Sequence, residues 1–155
     1  MSRALTIPDD GTTYTPDLDV FAHHYIIAAL WSSVDNADDS GGSPLDDAKY
    51  DGRLTRKARE EMRRDCAEWI EKNAGLIREL AEVADSCGYG GHQDCGDTDP
   101  IAAACAHDLW LTRNGHGVGF WDRDLPKDLA DRLTRAAEDA GTRDLYVSRG
   151  WIYQG

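Results

Sequence analysis

Apolar side chains recur at helical spacing from about Leu18 to Asp35, at Val20, Phe21, Tyr25, Ala28 or Ala29, and Trp31. That period predicts an amphipathic helix over 18–35, capped at its start by Asp17. His23 and His24 both lie on it, about 100° apart, so one should approach the core while the other faces solvent. Residues 1–17 carry Pro8, Gly11 and Pro16 and show no period. A longer helical run covers 53–85, where Leu54, Ala58, Met62, Cys66, Trp69 or Ile70, Asn73, Ile77, Leu80 and Ala84 step by three or four. Gly75 inside this run marks a kink or divides it in two. Asp99-Pro100 then opens a short alanine-rich helix over 100–107, with Asp99 as cap and Pro100 as first helical residue.

The pattern changes after His107. Two short runs rich in Leu, Trp, Val and Phe flank Asn114-Gly115-His116-Gly117, and Asn and Gly tolerate the positive φ that tight hairpin turns need. A β-hairpin over 109–122 follows, with Trp110 and Thr112 on one face and Leu109, Leu111 and Arg113 on the other. Beyond it, Leu129, Leu133, Ala136 and Ala137 form the buried stripe of a helix over 125–140, stopped by Gly141. Strands at 144–148 and 151–153 close the chain around an Arg149-Gly150 turn. The expected fold is α+β. A helical N-terminal two-thirds packs on a small antiparallel sheet, in a single domain over 1–155.

Charge sharpens this picture. The 155 residues hold 29 acidic and 17 basic side chains, a net charge of −12. Residues 1–52 contribute most of it, with ten aspartates against Arg3 and Lys49. Such a surface suits solubility, a basic partner or mimicry of nucleic acid, and it disfavours direct nucleic-acid binding. Arg53, Arg56, Lys57, Arg59, Arg63 and Arg64 gather into a basic patch that can neutralise the acidic loop before it. No apolar run approaches the ~20 residues of a membrane span, and the N-terminus lacks the basic start and apolar block of a signal peptide. These features place the chain in the cytoplasm, where its four cysteines are expected as thiols or metal ligands.

Three chemistries merit testing. Cys87, His92, Cys95 and Cys105 offer ligand types for zinc, but only His92-x-x-Cys95 has a short chelating spacing and no Cys-x-x-Cys pair exists. The aspartates of 35–52 offer oxygen ligands for another divalent cation without the spacing of a known loop. His107, Asp108, His116 and Asp122 have the residue types of a metal-assisted hydrolase or nuclease. In the hairpin, however, His116 sits at the tip, on the order of 15 Å from the strand ends that carry His107 and Asp122. No phosphate-binding loop, nucleophile elbow, dinucleotide fingerprint or His-Glu-x-x-His element is present. Recognition is the third chemistry. Trp110, Arg113, Asn114, His116, Phe120, Trp121 and Arg123 include the types that concentrate at interfaces, and they make the hairpin the expected binding surface.

The block His107-Asp108-Leu-Trp110-Leu-Thr112-Arg113-Asn114-Gly115-His116-Gly117-Val-Gly119-Phe120-Trp121-Asp122 resembles the hallmark of a family of small acidic proteins encoded by tailed double-stranded DNA phages, including those of actinobacteria. Weaker similarity reaches upstream to Ala28-Ala-Leu-Trp31-Ser32-Ser33 and its acidic loop, and downstream to Asp144-Leu-Tyr146-Val, so it covers most of the chain. Cys87, His92 and Cys95 lie outside the shared pattern, and the family supplies no catalytic residues to carry over. The resemblance implies a phage accessory protein made in the bacterial cytoplasm. With the missing catalytic motifs, it favours a non-enzymatic protein that binds a host or phage macromolecule, in host takeover or counter-defence. The hydrolase is the alternative. A DNA mimic, which would compete with DNA and weaken in salt, is a further one.

Overall fold

Local signals set where most helices begin. In the computed structural model, which describes residues 14–35, 42–90 and 99–155, Asp17 accepts hydrogen bonds from the amides of Asp19 and Val20 and starts α1, Leu18–Ser32. The helix stops three residues short of the expected 35. Ser33 turns extended, and Val34–Asp35 (β1) pairs antiparallel with Ser43–Pro44 (β2). Thr55 caps α2, Arg56–Lys72, through the amide of Ala58. The long run then divides at Asn73 rather than at Gly75. Asn73 donates its backbone N–H and side-chain amide to the Trp69 carbonyl, and α3 follows as Ala74–Cys87. Glycine permits a break, but here it falls at the asparagine, whose side chain adds a second hydrogen bond to the last carbonyl of the α2 ladder.

The largest departure from expectation is α4, Pro100–Arg113. It opens as the sequence indicates, on Asp99 and Pro100, but continues six residues past His107 and replaces the first strand of the expected 109–122 hairpin. Asn114-Gly115 is a helix stop. Gly115 takes φ 70°, its amide bonds Thr112 O at 3.2 Å, and the amide of His116 bonds Leu111 O at 3.0 Å. This paired 5→2 and 6→1 arrangement satisfies carbonyls left open at a helix C-terminus. The second expected strand is a loop ending in a single 3-10 turn, Phe120–Asp122. Gly119 lies against Thr112, where an added Cβ would run into that side chain, while Thr112 Oγ1 accepts the amide of Phe120.

Helix α5, Lys127–Asp139, and the hairpin of β3, Leu145–Ser148, and β4, Trp151–Gln154, match the expected elements closely. Arg149 and Gly150 both take positive φ, as a two-residue turn requires. Residues 53–55 run beside β4, with Leu54 bridging Ile152 in parallel. The fold is therefore α+β with a helical majority and, among the described residues, two separate two-stranded sheets. No described helix is long and apolar enough to cross a membrane.

One continuous buried cluster draws on each of the five described helices and on Leu145 and Ile152 of the terminal hairpin. Its centre holds Phe21, Tyr25, Met62, Leu80, Leu109, Trp110, Phe120 and Leu133. Helices α1 and α4 cross there, which buries α1 on more than one side. Tyr25 meets Trp110 edge-on with centroids 5.3 Å apart, and Trp69 stacks on Phe120 at 6.2 Å. Against the expectation for the first helix, Trp31 lies outside this core at 58% exposure.

Candidate functional site

The position of Trp31 follows from helix geometry. Phe21, Tyr25 and Ala28 take the buried stripe of α1, which leaves Ile27 and Trp31, four residues apart, as neighbours on an exposed strip. His107 and Leu111, also four apart, line the adjoining surface of α4. Leu30 and Val118 complete an apolar cleft of about 490 Å3, with Asp46 and Arg123 at its polar margin. At its α4 side His107 Nε2 lies 3.2 Å from Nδ1 of buried His24. That contact requires a proton on one nitrogen and a lone pair on the other. His23 is exposed, so the adjacent histidines divide between core and solvent as their spacing predicts.

Behind Arg123, Asp108 is fully buried and anchors a polar cluster. Arg123 donates to both carboxylate oxygens, with Nη2–Oδ1 at 2.6 Å and Nε–Oδ2 at 3.2 Å, and Tyr89 donates its hydroxyl to Oδ2 at 2.7 Å. The hydrogen bond to Asp108 holds Arg123 above the usual arginine range. Burial, reinforced by the neighbouring carboxylate, pushes the Tyr89 phenol well up, so Tyr89 stays a donor. The cluster fixes the side chain of Arg123 where it borders the cleft.

The seven residues expected to bind do not form one surface. Trp110, Arg113 and Phe120 are core residues. Trp110 donates to Ser32 Oγ at 2.8 Å. Arg113 donates to the carbonyls of Gly141 and Ala140, each at 2.7 Å, and to Tyr25 Oη at 2.9 Å. Asn114 caps, donating to Trp110 O and accepting the amide of Arg143. His116 is half-buried beside a different cavity, next to Asn114 and Ser32, while Trp121 is 52% exposed. Only Arg123 reaches the α1–α4 cleft. The reason is the continuation of α4, which turns the supposed strand faces into helix sides packed on α1 and α5.

The four residues of the hydrolase alternative also separate. His107 lines the apolar cleft, Asp108 is sealed in the interior, and His116 borders its own cavity. Asp122 lines a pocket of about 200 Å3 with Cys87, Tyr89 and Leu125. The strand ends that would have brought Asp122 to His107 do not exist.

Of the expected zinc ligands, His92 and Cys95 lie outside the described residues, as do Asp38 and Asp39 of the acidic loop. Cys105 is buried in the core and Cys87 is half-buried at the end of α3. Among the described residues no three His, Cys, Asp or Glu side chains are grouped to hold a metal. Asp35 instead accepts the Tyr50 hydroxyl at 2.6 Å, and Asp47 caps the 3-10 turn Ala48–Tyr50. Burial pushes the thiols of Cys66 and Cys105 far above their ordinary range. Both should therefore resist iodoacetamide in the native protein near about pH 8, because the thiolate is the nucleophile. Peptide mapping should find them alkylated only after denaturant is added. Modification of either in the native state would contradict this placement.

The cleft left one legible trace in the sequence. Ile27 and Trp31 are large, apolar and four residues apart, yet Ile27 lies off the stripe that predicts the core. Comparison with protein-family models, with curated proteins and with solved structures finds no match for this chain.

Proposed function

We propose that this chain is a non-enzymatic phage accessory protein, working in the bacterial cytoplasm, that binds a basic protein partner through the cleft between α1 and α4. The observation that carries the reading is the cleft itself, where Ile27, Leu30, Trp31, Leu111 and Val118 wall about 490 Å3 that is open to solvent. Its volume falls in the range that accepts large apolar groups, and an exposed tryptophan is a residue type that commonly dominates binding energy. Charge supports a basic partner, because the chain carries −12 overall and, of the two charged residues at the cleft margin, Arg123 is neutralised by Asp108, which leaves Asp46. The resemblance of residues 107–122 supports the phage origin. Binding is favoured over turnover because His107, His116 and Asp122 line three different cavities.

Selection of random peptides on the immobilised protein tests the reading. Enrichment should favour large apolar residues flanked by Arg or Lys, with affinity falling as salt rises. Trp31→Ala should weaken the selected peptides by about tenfold or more, with little change in melting temperature because the side chain is exposed. Failure to enrich any sequence would overturn the proposal. So would peptides indifferent to both Trp31→Ala and Ile27→Ser.

A further inference from the structure

The terminal hairpin presents a second surface of different chemistry. Tyr146 lies opposite Tyr153 and Ser148 opposite Trp151, and strand alternation puts these four on one side while Leu145 and Ile152 enter the core. Tyr146 is 46% and Trp151 42% exposed. The two tyrosine rings stack with centroids 5.5 Å apart and planes 20° from parallel. Trp151 and Tyr153 are two residues apart on one strand, so their Cα atoms are separated by about 7 Å.

Cations border these rings. Residues 53–55 are tied to β4 by hydrogen bonds at both the amide and the carbonyl of Ile152, which brings Arg53 over the Trp151 ring at 5.1 Å. Arg56 and Lys57 follow at once in the first turn of α2, and Arg149 forms the turn before Trp151. Arg53, Arg56, Lys57 and Arg149 are all exposed. Arg63 pairs with Asp19 at 2.7 Å, but Arg56, Lys57 and Arg149 form no ion pair among the described residues. Asp51 and Asp144, also exposed, offset part of this charge.

We propose that this face binds single-stranded nucleic acid, with bases stacked on Tyr146, Tyr153 and Trp151 and phosphates against Arg53, Arg56, Lys57 and Arg149. Stacking accepts any base, because every base has a π-face, and it contributes a large share of single-strand affinity. The net charge of −12 disfavours binding driven by the backbone. At physiological salt, however, the Debye length is about 8 Å, so acidic groups remote from the hairpin are largely screened there. A duplex keeps its bases stacked internally and offers only phosphates, so this surface should discriminate against it. The site is separate from the α1–α4 cleft and does not depend on the function proposed for that cleft.

Fluorescence anisotropy of labelled oligo-deoxythymidylate and oligo-uridylate dodecamers with the full chain, at about 150 mM salt where that screening holds, tests the proposal. Binding is expected in the micromolar range. Tyr146→Ala and Trp151→Ala should each weaken it about tenfold, while Trp151→Phe, which keeps a ring, should restore most of the loss. The double variant Arg56→Gln/Lys57→Gln should flatten the dependence of log affinity on log salt by about 1.4. Trp31→Ala should leave all of these unchanged. The proposal is overturned by no binding at about 100 μM protein, by equal affinity for a duplex, or by binding that survives the Tyr146→Ala/Trp151→Ala pair. It is also overturned if sedimentation shows a dimer that Trp151→Ala dissociates, since a second copy would then occupy this face.

Discussion

Arg113→Ala is expected to lower the free energy of unfolding by about 3–5 kcal/mol, read from the urea midpoint at unchanged slope. The guanidinium is buried and spends its donors on Ala140 O, Gly141 O and Tyr25 Oη, with Asp65 Oδ2 at 4.0 Å. Two of those acceptors are carbonyls at the C-terminal end of α5, where the helix leaves its last groups unsatisfied and its dipole favours a cation. Alanine would remove this donor from all three, leave the buried Tyr25 hydroxyl without its partner and open a cavity. Burial also pushes the Tyr25 phenol up, so its hydroxyl remains protonated while accepting from Arg113. Arg113→Lys should recover only part of the loss, because an ammonium cannot span three acceptors spread around a planar fork. A loss below about 1 kcal/mol for Arg113→Ala would show that the side chain is not the tie between α1, α4 and α5 described above.

Asp108→Ala should cost a similar amount, about 3–5 kcal/mol, because it leaves the Arg123 guanidinium and the Tyr89 hydroxyl without their shared acceptor. For a chain of this length that corresponds to a fall of about 10 °C in melting temperature. Asp108→Asn keeps the volume and one acceptor oxygen, so its cost should be smaller. A cycle with Arg123→Gln separates the pair from the rest of the cluster. Most of the loss should vanish once both charges are gone, since the isolated partner is the expensive state. Additive losses would show that Arg123 and Asp108 act independently. The Asp108 variants should also loosen Arg123 at the cleft margin and weaken peptides selected there.

Both residues are conspicuous in the sequence, though for other roles. Asp108 reads as a catalytic carboxylate and Arg113 as a hairpin-tip contact, because charged side chains near tryptophans suit either chemistry. The structure gives them to the interior. Their partners are remote in sequence. Tyr25 is 88 residues from Arg113 and Tyr89 is 19 from Asp108, and local spacing carries no information about such contacts. Asn114-Gly115 misled for a related reason. Its positive-φ glycine serves a tight hairpin and a helix C-terminus equally well, and only the chain on either side decides.

By itself, the sequence determined the elements whose signals are local. Asp17 and Asp99-Pro100 start helices because side-chain oxygens and a missing amide match the open donors of a first turn. Gly141 ends α5, and alternation around Arg149-Gly150 makes the last hairpin. Only tertiary structure decided residues 108–113, where every side chain is buried. A segment covered on all sides has no polar face to mark its period, so helix and strand look alike until a partner is present. Packing of α4 across α1 selected the helix. The same packing buried Arg113 and Asp108 and left Ile27 and Trp31 at the edge of an open cleft.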